Sequence, residues 1–249
     1  MANSPIIQVK DLTAGYGDTV IFKDVSFEVH MGEIFAILGG SGSGKSTLLK
    51  NMIGLLKPRR GAVVIDGTDI VTAEGEERLH VLRKIGVAYQ SGALFGSMTV
   101  LTNVSLPLEE FTNLPRHAIE MMAQMKLKAV GLQAAAYKMP AELSGGMRKR
   151  AAIARALAMD PEILFLDEPS AGLDPITSAQ IDELILNLSH DLQITFVIVT
   201  HELPSIFTVA DRVIMVDKDA KTVIAAGTPQ ELRDRSDNPV VRQFFRRQR

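Results

Sequence analysis

The sequence predicts an α/β domain that combines a parallel sheet core, an N-terminal antiparallel β subdomain and an inserted helical lobe. Three observations lead to this prediction. Apolar and polar residues alternate in two segments near the N-terminus, short apolar runs alternate with helical stretches further along, and strand-like patterns are missing from about residue 91 to about residue 160. Alternation is typical of half-buried strands, whereas continuous apolar runs are typical of parallel strands covered on both faces.

The composition is that of a globular protein without a strong charge. The chain has 249 residues, of which 46% are hydrophobic and 22% charged, and its formal net charge is −2. Disordered chains are less hydrophobic and nucleic-acid-binding proteins are usually basic, so we expect neither disorder nor a nucleic acid partner. The sequence contains no cysteine, which excludes disulfides and thiolate metal sites. We also expect no signal peptide and no membrane span, because no apolar run is long enough.

The elements of the predicted antiparallel subdomain come first in the chain. In one segment the alternating apolar residues are Ile7 and Val9, and in the next they are Val25, Phe27 and Val29. Each segment would bury one face and leave the other in water, as strands of an antiparallel sheet do.

The predicted core strands follow, and helical patterns alternate with them. The strands are Ile34–Leu38, Ile163–Leu166, Thr195–Val199 and Val213–Val216, and the helices lie at about 46–56, 175–189 and 203–210. Alternation of buried strands with helices is typical of a parallel sheet wound by helices. Between them, residues 91–160 are predicted to form the helical lobe, with helices over 115–131 and 147–159.

A phosphate-binding loop is predicted directly after the strand Ile34–Leu38. Residues 39–46 match the pattern G-x-x-x-x-G-K-[ST] and precede a helical stretch that begins at Thr47. Glycines allow successive backbone N–H groups to point into one concavity, and the helix N-terminus adds positive potential. Lys45 would reach the β/γ-phosphates and the Ser46 hydroxyl would bind Mg²⁺; the alternative is a flexible Gly/Ser turn. The predicted loop residues are Gly39, Gly40, Ser41, Gly42, Ser43, Gly44, Lys45, Ser46 and Thr47.

Two carboxylates end another predicted core strand. Asp167 and Glu168 follow the run Ile163–Leu166 and would lie at the carboxyl edge of the sheet, where ligands bind in open α/β folds. Asp167 suits a Mg²⁺ contact, and Glu168 suits polarising a water for in-line attack on the γ-phosphate. The alternative for such a pair is a helix N-cap.

A second predicted anion site opens the helix 147–159. Ser144 and the free N–H groups of Gly145 and Gly146 stand at its N-terminus, within the sequence Leu-Ser-Gly-Gly-Met. With these elements in this order, the whole chain resembles the nucleotide-binding subunit of an ABC transporter. The resemblance implies a P-loop (RecA-like) core of about residues 1–90 and 161–249, the lobe at about 91–160, ATP and Mg²⁺ as cofactors, ATP hydrolysis, and a head-to-tail homodimer.

Four further residues match the family position by position. The resemblance implies that Tyr16 stacks on adenine and that Gln90 contacts Mg²⁺ and the attacking water. It also implies that Asp174, in the segment 170–174, belongs to a loop that crosses to the other subunit, and that His201 is a switch histidine at the γ-phosphate. Each has a simpler alternative: a turn tyrosine, a strand-end glutamine, a capping loop and a satisfied core histidine.

Within the family, residues 89–108 and Met147 resemble the ATPases of Mla/MCE-type lipid transporters. That resemblance implies phospholipid movement between inner and outer membrane to maintain outer-membrane lipid asymmetry. It also implies an integral-membrane permease, an MCE-domain protein and a small STAS-domain protein as partners, and a peripheral location at the cytoplasmic face of the inner membrane. The alternatives are an amino-acid-type importer ATPase and a nucleotide-switched module without transport.

The permease is expected to dock in a groove between core and lobe, around Gln90–Asn103. Leu94, Phe95, Met98 and Val100 are the apolar candidates there, although packing within the lobe would explain Leu94, Phe95 and Val100 equally well, as it would Val104. Lipid transport relatives often extend beyond the last helix to clasp a neighbouring subunit, and no such clasp is expected of a chain that stops at Arg249. The last eight residues are basic. Either a solvated helix end or a contact with a membrane or a partner would explain this charge. The arginines are Arg242, Arg246, Arg247 and Arg249.

Overall fold

The computed structural model describes residues 5–246, so Arg247 and Arg249 of the basic C-terminus lie outside the described residues. The strands are β1 (Pro5–Tyr16), β2 (Thr19–His30), β3 (Ile34–Leu38), β4 (Arg60–Ile65), β5 (Thr68–Asp69), β6 (Ile85–Ala88), β7 (Ile163–Asp167), β8 (Thr195–Val199), β9 (Arg212–Asp217) and β10 (Thr222–Gly227). The helices are α1 (Lys45–Met52), α2 (Gly75–Arg83), α3 (Val100–Phe111), α4 (Arg116–Ala129), α5 (Gly145–Ala156), α6 (Pro175–Leu192), α7 (Leu203–Val209), α8 (Pro229–Arg235) and α9 (Pro239–Arg246).

The N-terminal strands form an antiparallel sheet of order β2-β1-β4-β5, as the alternation predicted. Ile7 pairs with Val29 and Val9 with Phe27, so the apolar residues of the two long strands share one face. That face packs on the central sheet, where the rings of Phe27 and Phe35 stack with centroids 5.5 Å apart.

The central sheet has the order β10-β9-β3-β8-β7-β6, and its strands from β9 to β6 are parallel. Every residue of β3 and β8 is buried, which explains why these strands have continuous apolar sequences. The predicted α/β class with a parallel core and an antiparallel subdomain is therefore confirmed. Because β3, β6, β7 and β8 run the same way, the segments that follow their carboxyl ends meet at one edge of the sheet.

The segment between β6 and β7 contains α3, α4 and α5 and, among its described residues, no strand. Several predicted helix limits differ from the observed ones by up to four residues, and hydrogen bonds explain two of these differences. α5 begins at Gly145 instead of 147 because the Ser144 side chain caps the helix by accepting from the Met147 N–H, at 3.3 Å. α1 ends at Met52 instead of about 56, since the N–H groups of Leu55 and Leu56 both turn back to the Lys50 carbonyl.

The loop before α3 is held by a buried asparagine. Asn103 accepts from the Phe95 N–H at 2.8 Å, and its amide nitrogen lies 3.0–3.1 Å from the carbonyl oxygens of Phe95, Met98 and Thr99. Val100 and Val104 are buried, so packing explains these two residues. It does not explain Phe95, whose side chain is 50% exposed. Of the two explanations offered for Val100, the structure therefore supports packing within the lobe and not exposure in a docking groove.

Candidate active site

The loop between β3 and α1 has the conformation of a phosphate cradle. Gly42 and Gly44 have φ angles of 75° and 91°, in the left-handed region that favours glycine. A Cβ at Gly44 would also lie 2.8 Å from the Phe22 ring, so a side chain is excluded there on both grounds. The loop runs directly into the N-terminus of α1, which supplies free N–H groups for an anion.

Lys45, the first residue of α1, folds back over this loop. Its Nζ donates to the carbonyl oxygens of Gly39 at 2.9 Å and Gly40 at 3.2 Å. Burial lowers the pKa of Lys45, while the charges of Glu168 and Asp167 act in the opposite direction. The ammonium group thus stands in the concavity of the loop, in position to exchange backbone carbonyls for phosphate oxygens.

Ser46 and Asp167 bring two oxygen ligands together at the edge of the sheet. The Ser46 hydroxyl lies 3.5 Å from the Asp167 carboxylate, at the end of β7. Burial raises the pKa of Asp167, and so does the neighbouring charge of Glu168. A divalent cation would relieve both effects, and hard oxygen donors are the ligands that Mg²⁺ prefers. These residues therefore fit a magnesium ion.

Glu168 is the most constrained carboxylate of the site. Its φ angle is 49°, the residue is 7% exposed, and its N–H donates to the Val199 carbonyl at 2.8 Å. One carboxylate oxygen accepts from the Thr200 hydroxyl at 3.1 Å and the other lies 2.8 Å from Nδ1 of His201. Strain at a non-glycine residue is typical of functional positions, where surrounding contacts maintain it.

A cavity of about 500 Å³ joins these groups. It is lined by residues 41–47 together with Ile21, Gln90, Glu168 and His201. The structure therefore brings together the predicted loop, both predicted water-positioning residues and the predicted histidine.

Tyr16 and the second helix N-terminus do not line this cavity. Tyr16 pairs with Thr19 at the tip of the β1–β2 hairpin and is 46% exposed. Ser144 caps α5, and Asp174 caps α6 by accepting from the N–H groups of Ile176 and Thr177 at 3.0–3.1 Å. The hydrogen bonds to Thr177 lower the pKa of Asp174, so its carboxylate is already engaged within the chain.

The two helix N-termini pack against one another. A Cβ at Gly146 would collide with the Thr177 side chain, which explains why a small residue is required there. The start of α5 and the start of α6 consequently form one surface, separate from the cavity of the same chain.

Sequence reasoning missed several residues of the site. Thr200 holds the Glu168 carboxylate, and Ser170 donates to the Glu202 carboxylate at 2.6 Å. The position of Thr200, at the end of a buried strand beside His201, was a signal that could have identified it. Lys149, which contacts the main chain of Glu168, gave no signal in the sequence because its partner lies 19 residues away.

A family model described as ABC transporter matches residues 22–171, more than half of the chain. The chain belongs to the ABC transporter family. The match begins in β2 and ends just after Glu168, so it includes the phosphate loop, the helical lobe and Asp167.

Curated ABC transporter relatives match nearly the whole chain. The chain is 43% identical to the intermembrane phospholipid transport system ATP-binding protein MlaF of Haemophilus influenzae, over 98% of this chain and 91% of that protein. For MlaF of Escherichia coli K12 the identity is 42%, over 96% and 88%. It is 44% identical to the probable ribonucleotide transport ATP-binding protein mkl of Mycobacterium leprae, over 96% of this chain but 68% of that protein.

Solved ABC cassettes have the same fold. The structure of cbiO1 from Clostridium perfringens gives a TM-score of 0.83 at 35% identity, covering 92% of this chain and 90% of that one. A dimeric bacterial ABC transporter cassette gives 0.81 at 33% identity, covering 90% and 98%, and a post-hydrolysis form bound to ADP and Pi gives 0.80. The P-loop (RecA-like) fold and ATP hydrolysis by this chain are thereby confirmed. Along residues 5–246, none of the helices combines the length and apolar character that crossing a bilayer requires.

Proposed function

We propose that this ATPase drives an ABC transporter that moves phospholipids between inner and outer membrane and so maintains outer-membrane lipid asymmetry. The observation that carries the proposal is the similarity to MlaF, which extends over 98% of this chain and 91% of the relative. The similarity to mkl is as high, but it leaves about a third of that protein unmatched. Neither comparison favours an amino-acid importer or a module without transport.

In the proposed reaction, the loop residues 39–47 bind the phosphates of ATP and Lys45 neutralises the β/γ-phosphate charge. Ser46, Asp167 and Gln90 would hold Mg²⁺, which supplies charge neutralisation at the phosphates when bound. Glu168 accepts a hydrogen bond from the attacking water and takes its proton, while Thr200 and His201 keep its carboxylate aimed at the cavity. Tyr16, exposed beside the strand that carries Ile21, stacks on the adenine.

We infer a head-to-tail homodimer in which Ser144, Gly145 and Gly146 of one chain cover the ATP bound by the other. Two features support this. The N-terminus of α5 does not line the cavity of its own chain, and the N–H groups of Gly145 and Gly146, which the Ser144 cap does not engage, suit a phosphate. The similar bacterial cassette is dimeric. Asp174 caps α6 beside the same surface and would stand at the crossing between subunits.

The proposed permease site is the groove where α2 and β6 face the helical lobe. A cavity of about 170 Å³ lies there, lined by apolar residues that include Leu82, Phe111 and Met159. Arg155 lines the same cavity and donates to the carbonyls of Ala93 and Gly92 at 2.8 and 3.1 Å, in the loop that follows Gln90. This arrangement connects the nucleotide cavity with the groove. We propose that the dock includes this groove together with Phe95, the exposed phenylalanine of the predicted segment Gln90–Asn103.

The permease would hold the chain peripherally at the cytoplasmic face of the inner membrane. An MCE-domain protein and a small STAS-domain protein are the further partners that the lipid function requires.

Reconstitution tests the cargo. The chain, its permease and the proposed MCE-domain and STAS-domain partners are reconstituted in vesicles that contain a fluorescent phospholipid. Transfer to acceptor vesicles is followed in the presence of ATP, with the native chain and with the Glu168→Gln variant. We expect ATP-dependent transfer with the native chain and none with Glu168→Gln. The same vesicles are then loaded with radiolabelled ribonucleotide. Nucleotide flux without lipid transfer would contradict the proposal and support the mkl-like alternative.

A further inference from the structure

Lys149 is a buried cation that the proposed reaction does not use. It lies in the second turn of α5, is 9% exposed, and its Nζ donates to the main-chain carbonyl of Glu168 at 2.6 Å. A buried ammonium group is costly unless it is paired, so its burial here implies a specific role for that contact.

The contact completes the fixation of the Glu168 peptide. The N–H of Glu168 is bonded to Val199 of β8, and its carbonyl is bonded to Lys149 of α5. Glu168 lies between these two bonds and has a φ angle of 49°, which residues other than glycine rarely adopt. Hydrogen bonds from a charged donor are about twice as strong as those between neutral groups, so Lys149 is a strong restraint on this backbone.

The electrostatic surroundings agree with this role. Burial lowers the pKa of Lys149, and the charges of Glu168, Asp167 and Glu202 act in the opposite direction. The ammonium group therefore stands among three carboxylates, which offset part of its desolvation and keep it at the edge of the sheet.

α5 connects this restraint with the segment Ser144–Gly146. The helix begins at Gly145, and a Cβ at that residue would lie 3.2 Å from Leu173, so the start of α5 packs on the loop before α6. Ser144 and Lys149 are separated by little more than one turn of a regular helix, so a shift of the first turn displaces Nζ as well.

We propose that Lys149 is a positioning residue that couples the segment Ser144–Gly146 to the carboxylate of Glu168 in the same chain. The proposal rests on the homodimer inferred above, in which that segment covers the partner's ATP. Occupancy of one ATP site then sets the geometry of Glu168 at the other site, through α5 and the hydrogen bond from Lys149.

The test compares Lys149→Met, which removes the donor, with Lys149→Arg, which keeps charge and donors. ATP turnover is measured with the full-length chain, together with KM, the Hill coefficient for ATP, binding of a fluorescent ATP analogue and the melting temperature. We expect Lys149→Met to lower kcat about 10- to 100-fold, since small misplacements of a catalytic group have effects of that size. We expect KM and analogue binding within about twofold of wild type, and a Hill coefficient that falls towards 1. Lys149→Arg should restore both kcat and the Hill coefficient.

Lys126→Met is the matched control, because Lys126 is another lysine of the lobe and is paired with Asp160, which is not a residue of the site. Its kcat and Hill coefficient should stay at the native values. If Lys149→Met does not fold, Lys149→Gln takes its place, since it removes the charge but retains a polar group in the buried position.

Native kcat and a native Hill coefficient in Lys149→Met would overturn the inference. So would a fall of kcat that Lys149→Arg does not restore and that follows the loss of melting temperature, because this result indicates packing only. Glu168→Gln is measured in parallel. Full turnover in Glu168→Gln would refute the proposed catalytic role itself, whereas an inactive Glu168→Gln beside a fully active Lys149→Met refutes only the coupling.

Discussion

Glu168 shows how the geometry of a single residue, and with it the role proposed here, depends on neighbours that are distant in sequence. Its carboxylate is aimed by Thr200 and His201, and its main chain by Val199 and Lys149. All four contacts come from residues at least 19 positions away. The left-handed backbone of Glu168 is maintained by this set as a whole, which is typical of strained catalytic positions.

Turnover should depend on Glu168. We expect Glu168→Gln to keep ATP binding, because the phosphate loop is unchanged, but to lose at least about 10²-fold in kcat, the size of effect seen on removing one stabilising group at a reacting centre. Phosphate release measures kcat, and binding of a fluorescent ATP analogue measures ATP binding. Glu162→Gln is the control, since Glu162 lies just before the opposite end of β7 and its exposed side chain pairs with Lys84, away from the site. Turnover of Glu168→Gln within a fewfold of native would contradict the assignment.

Asp182 provides a prediction on pH and stability. Burial raises the pKa of Asp182 from 3.8 to about 6, with a further contribution from the charge of Glu202, and one carboxylate oxygen has no hydrogen-bond partner among the described residues. The native state therefore retains a proton that the unfolded chain releases between pH 3.8 and about 6. By linkage, this group lowers the free energy of unfolding as pH rises through that window.

Asp182→Asn removes this cost and leaves the volume unchanged. We expect the variant to be more stable than the native chain at pH 8 by about 1–3 kcal/mol, and the advantage to shrink progressively below pH 6. Chemical denaturation at pH 4.5, 6 and 8 measures the difference. An advantage that is constant across these values, or a less stable variant at pH 8, would contradict the raised pKa.

At the scale of elements, the helical lobe presents few apolar side chains to solvent near the core. Phe111 ends α3 and lines the groove beside β6, and Phe95 lies in the loop that Asn103 fixes. Both are 50% exposed, so an aspartate at either position faces water and leaves the core intact. Large exposed apolar side chains of this kind are candidates for a surface that another chain covers.

We therefore expect Phe111→Asp and Phe95→Asp to reduce co-purification with the permease and the ATPase activity that depends on it. ATP binding by the isolated chain should stay native, because neither residue lines the nucleotide cavity. Tyr137→Asp is the matched control, since Tyr137 is an exposed aromatic of the same lobe outside the groove. Native permease recovery with both phenylalanine variants would place the dock elsewhere, and loss of ATP binding would make these residues structural.

At the scale of the whole molecule, the proposed dimer would take two separate halves of an ATP site from each chain. The cavity holds the phosphate loop and Glu168, and the shared surface of α5 and α6 holds Ser144 and Asp174. In a head-to-tail dimer, the cavity of each chain would face the α5–α6 surface of the other chain. Two ATP sites would result, and neither chain would form a complete site alone.

Mixed dimers test this arrangement. Lys45→Ala should abolish ATP binding at its own cavity, and Ser144→Arg should block the surface that covers the partner's ATP. Each variant alone then lacks both composite sites. A mixture contains dimers with one intact composite site, so we expect nucleotide-dependent dimerisation, with ATP bound at the interface, to return. Light scattering with and without the ATP analogue measures it. Mixtures as inactive as the separate variants would contradict the shared site. Lys50→Ala is the control variant, because Lys50 is an exposed lysine of α1, and we expect it to behave like the native chain.

The sequence by itself determined the phosphate loop, the core strands and the family. These features are local, because the conformation of residues 39–46 requires glycines and a following helix, and fully buried strands such as β3 and β8 require unbroken apolar runs. The sequence located helix limits less accurately than strands. The first turn of α5 contains two glycines, which disfavour a helix, and the Ser144 cap that stabilises this turn is a feature of the folded chain. α3 escaped prediction, since it contains Pro107 and several β-branched residues.

Only the tertiary structure decided which residues meet. Phe95 and Val100 are both apolar and five positions apart, yet one is half exposed and the other is core, because the Asn103 side chain fixes the path of the loop between them. From the sequence, Lys149 would be predicted to be a surface cation of a helix. In the folded chain, β7 and β8 bring Glu168 within hydrogen-bond distance of it. A short-range pattern records which conformation a segment prefers, whereas contacts between distant segments depend on how whole elements pack, and packing is a property of the complete fold.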